Sequence, residues 1–519
     1  MPWKTIIRRL CLLAVALGLG AAGCVKRDAG PGSARILRIS QRNEPATLDP
    51  QRATLPDEFF VIRALSEGLV MPNPAGGPPL PAVAERWETS ADGLTWTFHL
   101  RADARWSNGE PVTAQDFAYT IARAVTAANA SPNASLFFPL RGARASARGP
   151  GSRAEDLGVQ APDARTLVLI LERPFDSLLP LLASGPWIPV HPATVEKHGN
   201  AWTRPGNFVG NGPFTLTEWS ANQRIAVRLN PHYRAANAVK LDGVDFLAFD
   251  SGDTEERAFR AGQLDVTMGV PASKLDAYRE ARPSFLHTAP LHETRYLALN
   301  TTRPPLTDAR VRRALSLALD RRILTEKVLK GGQRPALSFV PPGLGGYQPD
   351  AALVENASEA RRLLAEAGFP EGRGFPRLEL STWGASITVL EAIQQRWRAE
   401  LGVEVALVQR EARTHLAALA AGDFDLGFAT AIPDYDSAAD LLRQLTGGHP
   451  RNYPHWSQPA FDRLVDETGL TAAEKLLLDE MPLIPLYFNA RNFLLLPAVH
   501  GWNEDALWTR HYLDVSLEP

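Results

Sequence analysis

The chain has 519 residues, 45% hydrophobic and 22% charged, with a formal net charge of -2 at pH 7. That balance excludes a disordered chain and the strongly basic surface of a nucleic-acid binder. A single hydrophobic core rarely grows past roughly 250–300 residues, so two or more lobes with a seam between them are expected, and a seam is where a ligand can sit.

Lys4, Arg8 and Arg9 form a cationic start, Leu10 to Gly20 a short apolar run, and Ala21-Ala22-Gly23 a small-residue stretch before Cys24. This is the layout of a secretion signal; the run is too short for a membrane-spanning helix, which needs about 20 apolar residues, and no later segment qualifies. Ala-Ala-Gly-Cys resembles the lipobox of bacterial lipoproteins, with Ala21 where that pattern usually has Leu. The competing reading is an ordinary signal peptide with an incidental cysteine. Cys11 leaves with the leader, and a lone thiol in an oxidising compartment is a liability unless it is used up, as thioether lipidation would do. The expected layout is therefore a signal peptide over 1–23, a flexible lipidated tether over 24–34, and an exported protein facing the periplasm, or the cell exterior where there is no outer membrane.

Ile36 to Ser40 alternates as a short strand, Asn43 to Pro50 is loop, and Phe59, Ile62, Leu65 and Leu69 recur at helical spacing, predicting a helix over Glu58 to Leu69. Leu94 to Leu100 alternates as a strand, Ser107-Asn108-Gly109 is a turn, and Thr113 opens Thr-Ala-Gln-Asp as a helix cap. Arg141 to Arg153 is basic and Gly-rich without interleaved aromatics, and reads as an exposed loop rather than a nucleic-acid patch. Thr166 to Leu171 and Phe214 to Trp219 read as strands. From about Leu297 helices and strands alternate: Val311 to Lys330, Ala357 to Gly368 and Ile387 to Gly402 are helical, while Leu378 to Ser381, Val403 to Val408 and Leu426 to Thr430 read as strands. That order implies α/β architecture with partly parallel sheets. There is no Gly-rich phosphate loop, no GxSxG elbow and no metal-spaced His/Cys cluster, so neither a cofactor nor a metal is expected.

The stretches Pro81 to Phe117, Asn211 to Phe214, Asn230 to Tyr233, Leu297 to Arg321, Leu363 to Phe369, Asp434-Tyr435 and Pro482 to Tyr487 resemble the periplasmic oligopeptide-binding proteins of ABC importers, solute-binding protein family 5. The resemblance runs from about Leu37 to Leu517. It implies a periplasmic binding protein-like fold: two α/β lobes joined by a two-segment hinge, with a small additional domain on the first lobe. The implied division is 35–59, 196–297 and 497–519 for the first lobe, 60–195 for the additional domain, and 298–496 for the second lobe, with crossings near Ala298 and Pro497. It also implies a monomer that captures small peptides and delivers them to ABC importer permease subunits. Its only membrane contact would be the lipid anchor, and it would bind no nucleic acid.

Carried over by position, Asp434 stands where the family places the aspartate that meets the peptide α-ammonium, and Ala431 and Ile432 lie on the segment whose backbone pairs with the peptide. The tryptophan usual at position 431 is absent. Arg303 stands where a lysine helps hold the peptide carboxylate, Glu44 at a cleft-facing acidic position, and Tyr119 and Trp397 at aromatic positions near the ligand. Where close relatives have two arginines and a histidine, this chain has Leu419, Phe428 and Ser386, which leaves the carboxylate end poorly provided for. The segment between Asp466 and Glu474 is shorter than the family's and bears on second-lobe stability.

Each assignment has a plainer alternative. Asp434 can make an Asx turn or cap the helix of Ser437 to Leu445, Arg303 can be solvated, Glu44 can pair within the framework, and Trp397 can be core. Two other classes stay open: the same fold holding a nickel complex, haem or sugar, and a hydrolase using Asp434, Asp436 and Glu44. His191, His198, His449 and His455 are widely spaced and form no metal motif, which disfavours nickel.

Overall fold

The computed structural model describes residues 34–148, 156–384 and 387–518, so Cys24, its leader, most of the tether and Ser386 lie outside the described residues. Ile36–Gln41 is a strand as its alternation predicts, and it lies parallel to Gly243–Ala248. Arg224–Leu229 and Phe214–Ser220 complete this sheet, which with Phe60, Val61 and Tyr512 encloses the core of the first lobe.

The first helix is Pro56–Leu65, shifted toward the N-terminus of the expected span. Proline suits a first turn because its missing N–H would be unpaired there anyway. The Glu58 carboxylate accepts from the Thr54 and Leu55 amides at 2.7 and 3.0 Å. The helix stops at Leu65 because the Asn211-Gly212-Pro213 segment docks on its last turn: the Gly212 N–H donates to the Leu65 carbonyl at 2.9 Å. A Cβ at Gly212 would stand 2.5 Å from the Ser66 nitrogen, so only glycine fits. Leu69 consequently leaves the helix and leads into the short strand Val70–Met71.

The additional domain is an antiparallel sheet of Ala84–Thr89, Thr95–Leu100, Thr166–Ile170 and Val159–Asp163, in that order. Helix Ala114–Val125 packs on it, opened by the predicted Thr113 cap: the Asp116 carboxylate accepts from the Thr113 N–H at 2.8 Å. The expected loop after Arg141 contains a short helix, Ala143–Ala147, because Ala143 is fully buried in this domain's core and Arg144 lies 4.7 Å over the Phe138 ring.

The second lobe carries a six-stranded sheet in the order Arg334–Pro335, Leu483–Leu494, Leu286–Leu299, Leu426–Ala431, Leu378–Trp383, Val405–Arg410, with the last three parallel to one another. The helix expected from Val311 to Lys330 is two segments. Ala309–Leu317 ends, and Asp320 caps a new start by accepting the Ile323 N–H at 3.0 Å. The shortened segment is a tight junction, Glu467-Thr468-Gly469, between helices Pro459–Asp466 and Leu470–Glu480. In the latter helix Glu474 is 0% exposed and accepts from the Phe339 and Val340 amides at 2.9 and 2.7 Å and from the Tyr347 hydroxyl at 2.8 Å.

The lobes share two strands. Leu286 to Pro290 pair with Ala490 to Leu494, the register then shifts, and Thr294 to Ala298 pair with Leu483 to Phe488. Beyond the shift Leu286–Leu299 also pairs with Leu426–Ala431, whereas Leu495 bridges Val266, which bridges Ile39 of the first sheet. Ala298, where the first crossing is expected, thus lies inside the second sheet, paired with Gly427 and Leu483.

Glu474→Ala is expected to strand two buried amides and a phenol and to destabilise the second lobe by about 2–4 kcal/mol. Hydrogen exchange at Phe339 and Val340 measures it; unchanged protection would show that the carboxylate does not hold this loop.

Candidate functional site

Between the lobes lies a cavity of about 550 Å³. One wall is built by the first helix, through Phe59, Phe60 and Arg63, and by Ala183 to Pro186 of the additional domain. The facing wall is the end of the second sheet: Trp383, Thr430, and Ile432 to Asp436. A third side is the loop Asp505 to Thr509, carried on the hairpin whose strands are Asn503–Glu504 and Arg510–His511. His292 sits in the register shift of the shared strands and also faces the cavity.

Asp434 lines this cavity with its side chain 34% exposed. Its carboxylate takes a 2.9 Å bond from Arg451, and its own N–H donates to Asp440 at 2.7 Å. Asp434 is not the helix cap: the following helix, Ala438–Arg443, is capped by Ser437, whose hydroxyl accepts the Asp440 N–H. Burial, reinforced by the negative Asp434, pushes the Asp440 carboxyl up to about 7, against the opposing pull of Arg451 and Arg443. Burial holds His292 below its ordinary value, in the neutral form at pH 7.

Ala431 ends its strand fully packed, while Ile432 is 47% exposed and lines the cavity, its carbonyl held by the Gln444 amide at 2.8 Å. The strand Leu426–Ala431 pairs with Leu378–Trp383 only at Leu426 and Gly427. From Phe428 onward its edge toward that neighbour has no strand partner among the described residues.

The other carried-over positions fall elsewhere. Trp397 is 0% exposed and donates its indole N–H to the Leu315 carbonyl at 2.8 Å; it is core of the second lobe. Glu44 accepts the Trp219 indole N–H at 2.6 Å and the Asn222 amide at 3.0 Å, which fastens a first-lobe loop onto a hairpin. Arg303 lies past the far end of the shared strand, beside Asp425 at 3.3 Å and Asp423 at 3.4 Å. Tyr119 is on the helix of the additional domain, close to Arg123, Glu196 and Asp49, and does not line the cavity. Leu419 and Phe428, which stand where the resemblance places charged groups, are buried core, and Phe428 meets Trp383 at 5.6 Å, so an aromatic pair lies behind the cavity. His191 bonds Thr194 and Glu110, and His455 the Leu419 carbonyl.

Residues missed in the sequence are Arg63, Trp383, Arg451 and the 505–509 loop. Arg63 carried one usable signal, a charge between Ile62 and Leu65 on an otherwise apolar helix face; Arg451 and the loop carried none.

Two α/β lobes on a two-stranded crossing, with a charged chamber between them, define a two-lobed solute receptor of the periplasmic binding-protein class. The model of the bacterial extracellular solute-binding proteins, family 5 (middle), matches residues 78–453, and the chain belongs to that family. It is 35% identical over 493 residues to the periplasmic murein peptide-binding protein MppA of Escherichia coli (strain K12), covering 90% of this chain and 91% of that one. It is 34% identical to the probable deoxycholate-binding periplasmic protein YgiS (90% of each chain) and 34% identical to the periplasmic oligopeptide-binding protein OppA (89% and 88%) of the same strain. Among solved structures, the Escherichia coli murein tripeptide binding protein superposes with a TM-score of 0.79 at 32% identity, covering 94% of this chain and 99% of that one. Haemophilus influenzae OppA in complex with the peptide RPPGFSPFR gives 0.77 at 28% identity, with 94% and 100% covered. Family 5 proteins bind solutes for transport and are not enzymes. No helix among the described residues is long and apolar enough to cross a membrane.

Because Asp440 has a folded-state value of about 7 against an ordinary 3.8, its protonated form stabilises the fold. That contribution is complete below 3.8 and is lost as pH rises through about 7. Stability is expected to fall across this window, and Asp440→Asn should flatten the fall. Thermal melts at stepped pH read it; an equally steep profile in the variant would remove Asp440 as the titrating group.

Proposed function

We propose that this protein captures small peptides in the interlobe cleft and presents them to the permease of an ABC importer, acting as a monomer exported and held to the membrane by lipid on Cys24. The observation that carries the peptide reading is the strand edge beside Asp434, which has no strand partner past Gly427 among the described residues and reaches the cavity at Thr430 and Ile432: an extended backbone can pair there while its ammonium meets a carboxylate at the edge's end. Peptide names on relatives matched along about nine-tenths of the chain support it. Asp434 is shared with Arg451, so the ligand ammonium competes with that guanidinium for the carboxylate. The lobes swing about the register shift at Pro290 to Thr294, and the ligand stabilises the closed form by binding it more tightly.

A second reading has one observation behind it. The deoxycholate-named relative is as similar as the oligopeptide-named one, and Phe59, Trp383 and Trp508 give the cleft apolar walls. An apolar solute bearing a carboxylate is then the ligand, without the ammonium contact.

Calorimetry with free-amine and N-acetylated peptides, and with deoxycholate, separates the two. Truncating one member of a desolvated charge pair costs about 2–5 kcal/mol, so Asp434→Ala is expected to weaken free-amine peptides about a hundredfold and acetylated ones far less. Equal losses for both peptides would leave Asp434 a loop residue. Binding of deoxycholate alone would replace the peptide reading.

For the anchor, Cys24→Ser is expected to release the protein from membranes into the exported soluble fraction, since stable tethering needs more than one acyl chain and the acylated cysteine carries them. Mass spectrometry of the wild type finding an unmodified thiol would overturn the lipid reading.

A further inference from the structure

We propose that Arg63, on the first helix, is the anchor for a carboxylate of the bound ligand. This rests on the reading of the cleft as a ligand site and supplies the end of the ligand that the family positions leave empty, since Leu419 and Phe428 are buried core.

Cations lining the cavity, among the described residues, are Arg63 and Arg451, with His292 neutral. Arg451 already holds Asp434. Arg63 donates one 2.8 Å bond, to the Ala183 carbonyl, and has no carboxylate within ion-pair distance among the described residues. A guanidinium has five N–H donors in a fork that matches a carboxylate, so most of this group's capacity is unspent. Arg63 is part-buried, and a cation drawn out of water is costly unless an anion meets it. The available anion, Asp505, influences Arg63 only at longer range and is committed to its own loop, accepting the Leu507 and Thr509 amides at 2.9 and 2.8 Å. Burial accordingly lowers Arg63 to about 10, which still leaves it charged at neutral pH.

The position adds to the chemistry. Arg63 stands on a helix whose Phe60, Val61, Ile62 and Leu65 pack in the first lobe's core, although the expected division put 60–195 in the additional domain, and Asp434 stands on the second lobe. A ligand with an ammonium at one end and a carboxylate at the other therefore ties the lobes together, and its charges contribute fully only when the cleft is shut. A peptide C-terminus and the acid of a bile-salt-like solute present the same carboxylate. Arg63 also borders an inner cavity of about 170 Å³ beside Glu67 and Tyr233, and solvation from that side is the competing account.

The test uses a peptide with free termini, its C-terminal amide, and calorimetry with wild type, Arg63→Gln and Arg63→Lys. Gln keeps a donor for the Ala183 carbonyl, and melts of the unliganded proteins check the fold. Amidation is expected to weaken wild-type binding at least about tenfold, and Arg63→Gln to weaken the free acid by a like factor while hardly affecting the amide. Arg63→Lys is expected to recover part of the loss. Acid and amide binding the wild type within about twofold, or Arg63→Gln weakening both alike, would overturn the proposal, as solvation from the inner cavity requires. The first comparison stands even if the variants do not fold. If neither peptide binds the wild type, the peptide reading fails on its own, and deoxycholate against its methyl ester decides Arg63 by the same criteria.

Discussion

Leu286–Leu299 and Leu483–Leu494 run side by side through both lobes, and everything that defines the cleft hangs from this ribbon. The returning strand is tied to the first lobe at its end, where the Thr267 N–H donates to the Leu494 carbonyl at 2.9 Å, and the Leu495 N–H donates to the carbonyl of Phe285, just before the first strand, at the same distance. The other end of the ribbon lies inside the six-stranded sheet. A continuous ladder would make one rigid sheet. The register shift between Pro290 and Thr294 interrupts it where the lobes meet, which supplies a place to bend and also aims His292 at the cavity.

The loop at 505–509 depends on the same ribbon. Arg491, on the returning strand, pairs with Glu504, which also receives Arg510 at 3.0 Å; all three side chains are buried. Arg510 in turn lies 3.8 Å above the Phe60 ring on the first helix. A buried charge cluster of this kind tolerates no loose partner, because losing one leaves the others unpaired in a low-dielectric interior. It fixes the C-terminal hairpin against the helix that carries Arg63, while Leu507 of the loop packs against the second lobe's core.

Chemistry on the two walls is complementary in kind. The second lobe offers Asp434 with Arg451 alongside and Asp440 behind, while the first lobe offers Arg63 with Asp505 behind. Arg451 meets Asp434, whereas Asp505 reaches Arg63 only at longer range, so the first-lobe charge is the one a ligand carboxylate would complete. Across the mouth, the Ser177 and Ser437 hydroxyls meet at 3.0 Å and the Phe175 and Tyr435 rings at 6.4 Å, so the additional domain touches the second lobe beside Asp434. Closure and ligand contact thus involve neighbouring residues on one segment.

Local pattern alone determined the strands at Ile36, Thr95, Thr166 and Phe214, the Thr113 cap and the helices at Ala357 and Ile387, because alternation, helical spacing and capping chemistry act within a few residues. It also gave the α/β class, whereas the segment around Asp434 came from the family resemblance. It did not decide where the first helix ends, because the Gly212 contact that stops it comes from far along the chain. Nor did it decide which carried-over residues face the ligand. Trp397 sits on a helix that the sequence places correctly, yet its side chain points into the core, and Arg303 lies past the wrong end of a strand. Only the tertiary structure brings Arg63, Trp383, Arg451 and Asp505 around one cavity, since long-range packing sets the direction of a side chain in space, and spacing along the chain carries no record of it.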